Sequence, residues 1–522
     1  MTPPFSRSIL PSIPASIFLI LSLLVPIVFG RNLLNADGDP ARHLRHGREI
    51  LAEGIIRVDQ FSLLHAGQPY VDMEYGTQTI LALIERVAGL AGVVAFAALL
   101  IATAHALVAW FLLRRGVDPL FAYAIGLLSA LVAHVHWLAR PHLVTLVLSV
   151  ILLDWLDRES PAPRWRFVLL FLVWANLHAG FIFGLTVMGL FVAGHLLDGL
   201  LEPAERSRYW RLAGSLFVTT LLSGLVTLIN AYGPGLHLHA FANLSDPYLT
   251  DHTIEFMSPN FHWTGVKFFL VALVGVIAGF GLLRRPLRGP HLLLVTATIA
   301  SALMYQRNVT LFAVTGLPVA ALYLNRLWVR LPGQAFRARL AAAATSGSTL
   351  PWAGGVAALL ILIALAGGRV GSTEVIPNQF DPETFPVAIV REAQEAGIGG
   401  RIFNDFRYGG YLQYAWPTQR VFIDGATDVY GAAIMRAHTT VLALSPGWRD
   451  SLAAWKIDMI LLPTDQPMVS ELVQDGTWAV WRCDATAALL RPAELGVAPD
   501  GSALAACRQA RIPSLAREPR EP

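Results

Sequence analysis

Two aspartates, Asp37 and Asp39, follow the first long apolar run of the 522-residue chain. A carboxylate at that position could accept the proton of an attacking hydroxyl group, which is the work of a general base. The pair could also hold a divalent cation together with water, although the spacing defines no third ligand. Asp39 precedes Pro40 and could instead cap a helix. In that case it would be a weaker base, and Asp37 could share or take over the role.

Isolated cations between later apolar runs could neutralise a phosphate group. Arg140 and Arg307 carry planar guanidinium groups that match phosphate geometry, although either could instead anchor lipid headgroups. His178 could donate a hydrogen bond to the same phosphate. These residue types suit a reaction on a phosphate-bearing lipid. Other candidates at the edge of the same site are His134, His136, His142, Asn176 and Glu255.

The composition indicates the solvent for which the chain is built. It is 55% hydrophobic and only 14% charged, whereas about 25% of the residues of a soluble domain are charged. This excludes an ordinary soluble protein. The long apolar runs and the aromatic content of 10% also exclude a disordered or fibrous chain. The net charge of +3 gives no indication of a nucleic-acid partner, so we predict a polytopic α-helical membrane protein.

Eleven apolar runs approach the roughly 20 residues that a helix needs to cross a bilayer. We therefore predict about 11 transmembrane helices within a transmembrane domain at 1–369. The third, fourth and fifth runs are short for a full crossing. The runs lie near 9–29, 91–113, 119–134, 141–156, 166–178, 180–200, 212–230, 266–283, 290–305, 309–325 and 351–368.

The arginines determine the predicted orientation. They cluster in every second connection, beginning with Arg114 and Arg115, and the positive-inside rule places those connections in the cytoplasm. The N-terminus is then cytoplasmic, while the first loop at 30–77 and the chain after 370 are extracytoplasmic. Few charges fall in the middle of the apolar runs, which argues against an ion-coupled transporter.

The first extracytoplasmic loop is predicted to contain a helix that lies along the membrane surface. This helix would have Asp39 as its N-cap and would stop at Gly54. A second, short surface helix is predicted at 77–88. An apolar side opposite a cationic side is typical of such helices. The apolar side holds Leu44, Ile50 and Leu51, and the cationic side holds Arg42, Arg45 and Arg48.

From residue 370 the composition becomes that of a soluble protein. The pattern predicts a small α/β domain at 370–491 and a flexible tail at 492–522. Cys483 and Cys507 could form a disulfide in an exported domain or remain free thiols. The predicted helices cover 383–397, 408–415, 447–455 and 466–474. The predicted strands cover 401–404, 420–423, 458–462, 478–482 and 487–490.

Several of these motifs together resemble the C-type integral-membrane glycosyltransferases, the superfamily of the protein O-mannosyltransferases and the aminoarabinose lipid A transferases. The first loop carries Asp37-Gly-Asp39, His43-Leu44, Gly47-Arg48 and Phe61-Ser62. Later matching pieces are Arg140-Pro141-His142, Asn176-Leu177-His178, Glu255-Phe-Met-Ser258 and Arg307-Asn308. The α/β domain adds Phe403-Asn404-Asp405, Gly409-Gly410-Tyr411 and Phe422-Ile423-Asp424-Gly425.

The resemblance implies an enzyme of the bacterial inner membrane that takes a sugar from a polyprenyl-phosphate donor and inverts its configuration. It implies a catalytic base in the first loop, at Asp39 with Asp37 as the second acidic position. The acceptor would be an extracytoplasmic glycan, lipid or protein. A non-catalytic relative that binds lipid or glycan is the alternative hypothesis, and a transporter is the third. No cofactor is certain, although a divalent cation could bind Asp37 and Asp39.

Overall fold

The computed structural model describes residues 8–158, 162–284, 286–345, 347–348, 350–495 and 504–509. They fall into two compact units, which we call the helical unit and the mixed unit. The helical unit lies within Met1–Gly30, Ala88–Pro234 and Thr250–Pro377. The mixed unit lies within Arg31–Val87, Gly235–Leu249 and Asn378–Pro522. The first loop thus belongs by its contacts to the same unit as the α/β domain.

Helices dominate the described chain up to residue 365. They are α1 (Ile13–Leu24), α2 (Gly30–Asn35), α3 (Asp39–Glu53), α4 (Tyr75–Arg114), α5 (Pro119–Ala133), α6 (His142–Leu156), α7 (Arg164–Leu177), α8 (Phe181–Leu201), α9 (Arg206–Val226), α10 (Pro234–Ser245), α11 (Pro247–His252), α12 (Thr264–Gly281), α13 (Gly289–Met304), α14 (Val309–Leu311), α15 (Leu317–Trp328), α16 (Gln334–Thr345) and α17 (Leu350–Leu365). Short strands accompany them as β1 (Ser8–Pro11) with β2 (Gly347–Ser348), and β3 (Arg369–Val370) with β4 (Thr373–Glu374).

Six helical segments of the described chain are long and apolar enough to cross a membrane. Three further apolar helices, α6, α13 and α17, are shorter. The chain therefore has the helices of a polytopic membrane protein, while the total of eleven spans stays a prediction. The six segments are Ile13–Asn35, Tyr75–Arg114, Pro119–His136, Phe181–Leu201, Thr264–Gly281 and Gln306–Trp328.

Small residues let helices of the helical unit approach closely. Gly194 in α8 lies against Gly289 and Pro290 at the start of α13, where a methyl group on Gly194 would overlap the Pro290 backbone. Small residues at such crossings are typical of membrane helices, because association there depends on close van der Waals packing. Large side chains, including Trp174 and Phe191, fill the remaining interior and are fully buried.

The mixed unit contains a four-stranded sheet and the helices that cover it. The strand order is β5-β6-β8-β7, with β5 and β6 parallel and the other pairs antiparallel. The strands are β5 (Ile402–Asn404), β6 (Met459–Pro463), β7 (Trp478–Cys483) and β8 (Ala487–Pro492). The helices are α18 (Val387–Glu395), α19 (Phe406–Ala415), α20 (Thr427–Leu442), α21 (Trp448–Ala454) and α22 (Pro467–Gln474).

The predicted strand at 420–423 is wrong, and α20 was not predicted. Val421 instead forms an isolated bridge to Ser62 of the first loop, with hydrogen bonds from Leu63 N to Val421 O (2.7 Å) and from Val421 N to Phe61 O (3.0 Å). Phe422 and Ile423 are buried in the same core as Phe403 and Ile460 of the sheet without forming one of its strands, and an apolar run of this length does not by itself distinguish the two cases. The other predicted strands and helices of the domain have counterparts in the structure.

Helix α3 has the predicted extent, but its surroundings differ from the prediction. Its arginines do not form an open cationic side, because each pairs with protein groups. Arg42 is buried beside Asp39, Arg45 pairs with Glu49, and Arg48 binds Glu85 through two nitrogens at 2.8 and 2.7 Å. The helix packs against α19, so protein rather than membrane surface covers most of its first half.

A disulfide joins Cys483 to Cys507, which decides between the two alternatives left open for these cysteines. Within the segment predicted as a flexible tail, residues 504–509 form a helical turn. Leu504 is buried in the core of the mixed unit, and Arg508 donates to Thr464 O at 2.8 Å. The cross-link and this packing hold the turn against the sheet.

Reduction of this disulfide is expected to lower the thermal stability of the protein. Closing a loop of 24 residues restricts the unfolded chain and typically contributes about 2–4 kcal/mol. The double variant Cys483→Ser with Cys507→Ser should therefore melt at a lower temperature than the wild type. It should also be cleaved sooner by protease near 504–509. A reducing agent should lower the wild-type melting temperature but not that of the variant, and equal melting of the two proteins in oxidising buffer would contradict the prediction.

Candidate active site

The N-terminus of α3 leaves the Asp39 carboxylate available for a side-chain partner. The N-cap position belongs to Gly38, one residue before the predicted Asp39. Asp37 instead accepts a hydrogen bond from Asp39 N through its Oδ1, at 3.0 Å. The Asp39 Oδ1 atom accepts from Arg42 Nε at 3.2 Å, one helical turn away. The contact at the helix start that was predicted for Asp39 is therefore made by Asp37, and the role of Asp39 as a base stays a prediction.

Arg42 lies between two carboxylates in the interior of the mixed unit. Its Nε is 3.2 Å from Asp39 Oδ1 and 3.9 Å from Asp424 Oδ1. The exposed fractions of Asp39, Arg42 and Asp424 are 8%, 8% and 1%. Burial alone would lower the pKa of Arg42, but the charges of Asp39 and Asp424 outweigh it and hold that pKa well above the usual value. Arg42 therefore remains a cation.

Asp424 is held in place by three hydrogen-bond donors. Ala426 N donates to Oδ1 at 2.6 Å, and the Tyr430 hydroxyl donates to Oδ2 at 2.8 Å. The side-chain amide of Gln413 also donates to Oδ2. Burial raises the pKa of Asp424 to about 6, while Arg42 and these donors oppose the rise. The carboxylate is therefore both fixed in position and ionised near neutral pH.

Glycines allow the backbone to approach α3 at this point. A methyl group on Gly425 would overlap the Asp39 carboxylate, and one on Gly410 would overlap the Gly38 carbonyl. Neither glycine has a positive φ, so the requirement is space and not backbone conformation. The Gly409-Gly410 and Asp424-Gly425 motifs thus bring α19 and the 422–425 segment against the start of α3.

A chain of polar groups extends from Asp424 along α3. Gln413 contacts His46 Nε2 through Oε1 at 3.1 Å, and the Tyr70 hydroxyl lies 3.2 Å from His46 Nδ1. The ring of Phe61 stacks on His46 at 4.3 Å between centroids. Burial, followed by the charge of Arg42, holds the pKa of His46 well below its usual value, so the imidazole is neutral. A neutral His46 adds no second cation beside Arg42.

A second buried carboxylate, Asp72, lies on the other side of α3. Its Oδ1 accepts from Glu74 N at 2.9 Å and from Gln78 Nε2 at 3.0 Å, while Oδ2 is buried without a hydrogen-bond partner. Gln78 Nε2 also lies 3.2 Å from His43 Nδ1. Burial and the negative charge of Glu74 raise the pKa of Asp72 to about 7, against opposing contributions from Glu74 N and Arg42.

Replacing Asp72 by asparagine is expected to stabilise the protein at pH 8 but not at pH 4. The folded protein ionises Asp72 near pH 7 and the unfolded chain near 3.8, so the wild type loses stability as the pH rises between these values. A shift of this size corresponds to roughly 4 kcal/mol at most. Melting temperatures of the two proteins from pH 4 to 8 measure the difference. The control Asp475→Asn should show the opposite sign, since hydrogen bonds from Thr477 and Arg449 outweigh burial and lower that pKa. A constant difference across the pH range would contradict the prediction.

Two open cavities lie beside α3 in the mixed unit. One, of about 380 Å³, has a mainly apolar wall flanked by two arginines. The other, of about 250 Å³, is more polar and includes Gln413, which bonds Asp424. The first is lined by Arg48, Leu51, Ala52, Ala82, Glu85 and Arg86. The second is lined by Arg45, Gln60, Phe61, Gln413, Pro417, Thr418, Gln419 and Arg420.

The described residues include no group of three or more His, Cys, Asp or Glu side chains arranged to hold a metal ion. Asp37 and Asp39 are the two residues considered for a divalent cation. One oxygen of Asp37 accepts from the Asp39 amide, and one oxygen of Asp39 accepts from Arg42. The positive charge next to Asp39 comes from Arg42. A divalent cation at Asp37 and Asp39 stays a prediction.

The helical unit brings together four of its predicted site residues. Arg140 Nη1 lies 2.5 Å from Glu255 Oε1, and His136 Nε2 lies 4.0 Å from the same oxygen. His142 Nε2 lies 3.0 Å from His136 O, and the two imidazole rings are 4.6 Å apart. The arginine is mostly buried, so this is a partly desolvated cluster of one guanidinium, one carboxylate and two imidazoles.

Arg307 lies close to the same segment but has a different contact. Its guanidinium lies 4.9 Å from the ring centroid of Phe256, the residue after Glu255. The 305–308 turn is joined to this segment by a hydrogen bond from Gln306 N to Met257 O at 2.8 Å. The chain thus places Arg307 next to the 255–257 segment that carries the partner of Arg140.

His178 has a defined tautomer. Gly180 N donates to its Nδ1 at 2.9 Å, and Thr145 Oγ1 lies 2.9 Å from the same nitrogen. Because Nδ1 accepts, the proton of a neutral His178 is on Nε2, which can donate to an anion. The side chain is buried, so this donor would act with little competition from solvent.

The two remaining candidates have contacts that explain them structurally. Asn176 Nδ2 donates to Leu172 O at 2.7 Å and to Ile229 O at 2.9 Å, and so joins the ends of two helices. His134 Nδ1 lies 2.6 Å from Leu131 O, and its ring packs on Trp137 and Phe268. Neither joins the Arg140 cluster through these contacts.

Sequence reasoning assigned Arg42 to a membrane-facing surface and gave Asp424 no role. The available signal for Asp424 was the Phe422-Ile423-Asp424-Gly425 motif, in which an acid stands between a buried run and a glycine. Arg42 is three residues after Asp39, a spacing at which side chains of a helix meet. Only the packing of α19 and the 422–425 segment on α3 joins these two signals.

Comparison with solved structures shows a shared fold. Archaeal oligosaccharyltransferase AglB from Archaeoglobus fulgidus, in complex with an inhibitory peptide and a dolichol-phosphate, matches with a TM-score of 0.52 and 14% identity. The match covers 87% of this chain and 69% of AglB. The apo form of the Archaeoglobus fulgidus oligosaccharyltransferase matches with a TM-score of 0.50 and 13% identity, over the same shares of the two chains.

A further similar structure is ArnT from Cupriavidus metallidurans bound to undecaprenyl phosphate. Its TM-score is 0.49 at 13% identity, and the match covers 91% of this chain and 97% of ArnT. No family model matches the sequence, and no curated protein matches it. The chain therefore shares the fold of the two oligosaccharyltransferase structures, at a level of sequence identity that by itself says nothing about substrate.

Proposed function

From the premise that this chain has the fold of the C-type glycosyltransferases, we propose that it transfers a sugar from a polyprenyl-phosphate donor to an extracytoplasmic acceptor. The observation that carries the proposal is the buried Asp39 carboxylate beside Arg42 at the start of α3. A carboxylate is the group that can accept the proton of a hydroxyl, and Arg42 supplies a fixed positive charge beside it. Donor, acceptor and stereochemistry are parts of the proposal.

In the proposed reaction, Asp39 accepts the proton of the acceptor hydroxyl group. The acceptor oxygen attacks the anomeric carbon of the sugar from the face opposite the phosphate. The new glycosidic bond forms as the bond between that carbon and the phosphate oxygen breaks. The electron pair of the broken bond leaves with the lipid phosphate, and the configuration at the anomeric carbon is inverted. Asp39 releases its proton to solvent after the product departs.

Arg140, Arg307 and His178 are proposed to stabilise the departing lipid phosphate. Fixed cations and donors lower the energy of a transition state in which negative charge develops. Arg140 pairs with Glu255. A bound phosphate would therefore share Arg140 with that carboxylate or displace the carboxylate from it. His178 can donate from Nε2, as its Nδ1 contacts require. The positive charges of Arg140 and Arg307 and the donor nitrogen of His178 support these roles.

We propose a bacterial inner-membrane location with the mixed unit outside the cytoplasm. The apolar helices support a membrane location, and the alternating arginine clusters support this orientation. The Cys483–Cys507 disulfide gives independent support, because structural disulfides persist in oxidising compartments. The acceptor would therefore be a glycan, lipid or protein of the cell envelope.

The proposal is tested with the full chain purified in lipid nanodiscs. Mass spectrometry should detect a co-purified polyprenyl phosphate. Incubation with a panel of polyprenyl-phosphate sugars and envelope acceptors should release lipid phosphate and yield a glycosylated acceptor. Lipid binding without turnover on any donor would instead support a non-catalytic binding protein. Movement of a solute or lipid across vesicles without sugar transfer would support a transporter.

A further inference from the structure

We propose that Asp424 is a positioning residue that holds Arg42, and through it the Asp39 carboxylate, in the geometry needed for transfer. This inference rests on the proposed function and adds to it a role for the α/β domain. Asp424 acts on Asp39 through Arg42, which is the common partner of the two carboxylates. Its Oδ1 atom lies 3.9 Å from Arg42 Nε, the same nitrogen that donates to Asp39.

The first argument concerns what Arg42 would do without Asp424. An arginine and a carboxylate prefer a two-pronged contact through two parallel hydrogen bonds. Asp39 receives a single contact from Nε at 3.2 Å, and Asp424 shares the positive charge. A guanidinium released from Asp424 would turn fully onto Asp39. Both oxygens of the Asp39 carboxylate would then be bound to the guanidinium, and the carboxylate would be a poorer proton acceptor.

The second argument concerns the rigidity of Asp424. Its oxygens are held by Ala426 N, the Tyr430 hydroxyl and Gln413. The preceding backbone is also fixed, because Phe422 N donates to Asn404 Oδ1 at 2.8 Å. A carboxylate with this many partners cannot follow Arg42 if the arginine moves. The position of Arg42 is therefore fixed by the α/β domain as well as by Asp39.

The third argument concerns the other charges around Arg42. Glu74 and Tyr70 also act on it electrostatically, as do Asp39 and Asp424. Of these groups, Asp39 and Asp424 act most strongly on Arg42, and they are the two carboxylates that form ion pairs with it within 4.0 Å among the described residues. Gly425, the residue after Asp424, lies against the Asp39 carboxylate, so the same segment limits Asp39 from a second direction.

Two substitutions separate a role of the charge from a role of packing. Asp424→Asn keeps the size of the side chain but removes its charge and replaces one acceptor oxygen with an NH2 group, whereas Asp424→Glu keeps the charge and both acceptor oxygens and disturbs the packing. If Asp424 positions Arg42, kcat should fall about tenfold or more in Asp424→Asn, with KM for donor and acceptor within about twofold of the wild type. Asp424→Glu should retain more activity than Asp424→Asn. A residue that only packs would give the reverse order.

A thermal double-variant cycle measures the contact without any substrate. Asp424→Asn should lower the melting temperature of the wild type, because it removes a partner of the buried Arg42. In the Arg42→Gln background the same change should lower the melting temperature less, because it also removes one of two buried negative charges that have lost their cation, while the lost acceptor oxygen affects both backgrounds alike. The control Asp458→Asn removes a carboxylate that accepts from Arg401 N, and its effect should be equal in both backgrounds.

The outcomes distinguish the two proposals. Wild-type transfer that is unchanged in Asp424→Asn, or equal effects of Asp424→Asn in both backgrounds, would overturn the positioning role and leave the proposed function standing. A wild type that shows no transfer with the donor panel would contradict the proposed function, and the positioning role with it. Reduced kcat with the order Glu above Asn, together with a smaller loss of melting temperature in the Arg42→Gln background than in the wild type, would establish the role.

Discussion

Asp39→Asn is expected to reduce sugar transfer by at least about 100-fold, because the amide cannot accept the proton of the acceptor hydroxyl. The substitution preserves the size of the side chain, and its carbonyl oxygen can still accept from Arg42 Nε. Arg42 also keeps Asp424 as a partner. The melting temperature should fall by an amount similar to that expected for Asp424→Asn, because each change removes one charged partner of the buried Arg42, whereas turnover should fall much further in Asp39→Asn. The measurement is product formation by the purified variant in nanodiscs, at saturating donor and acceptor.

Asp37→Asn and Asp458→Asn complete this experiment. Asp458→Asn alters a carboxylate on the backbone of Arg401 and should turn over at the wild-type rate. Asp37 accepts from Asp39 N, so its replacement tests whether the second acidic position contributes to the reaction. Loss of transfer in Asp37→Asn with retention in Asp39→Asn would move the base to Asp37. Retention in both would remove the first loop from the chemistry.

Gly410→Ala is expected to reduce both stability and activity, although it removes no chemical group. Alanine normally favours a helix over glycine by about 1 kcal/mol. At Gly410 in α19, however, the added methyl group would overlap the Gly38 carbonyl and lie 3.1 Å from Arg42 Cβ. Overpacking against backbone typically costs about 1–3 kcal/mol, and the start of α3 must shift to relieve it. Displacement of Asp39 by about 1 Å could lower turnover by about 100-fold.

Gly399→Ala is the matched control, because an added methyl group there has no neighbour closer than 4.0 Å. Gly399 lies in the same unit and does not have a positive φ. Its variant should keep the wild-type melting temperature and turnover. Thermal unfolding and transfer assays on the two variants give the comparison. A Gly410→Ala protein with full activity would show that α19 does not need to contact α3 so closely.

Periodicity and composition predicted the elements well where a single physical cause acts. The apolar runs predicted helices because a bilayer core allows few alternatives. The extent of α3 followed from Asp39-Pro40 at one end and Gly54 at the other, where Gly54 adopts φ 90°. The segment at 420–423 was misassigned because an apolar run is buried equally well by a sheet or by a loop. Its actual partner, the 61–63 segment, lies more than 350 residues away in the chain.

In the candidate site, too, some features were predicted from local sequence and others depend on contacts between distant residues. Asp39 was predicted as a site residue from its place after the first apolar run and from the resemblance of its surroundings to one superfamily. The pairing of Arg140 with Glu255 was not predicted, since 115 residues separate them. Arg42 was assigned to the wrong surroundings, because a cationic helix face looks the same in sequence whether membrane or protein covers it.

By itself, the sequence determined that this is a helical membrane protein, with a small α/β domain after residue 370 and acids gathered in its first loop. These properties follow from local composition and spacing. The tertiary structure alone decided that Arg42 is buried between Asp39 and Asp424, that Asp37 and not Asp39 serves the helix start, and that Cys483 pairs with Cys507. The physical reason is that desolvation and charge pairing depend on groups brought together from distant parts of the chain.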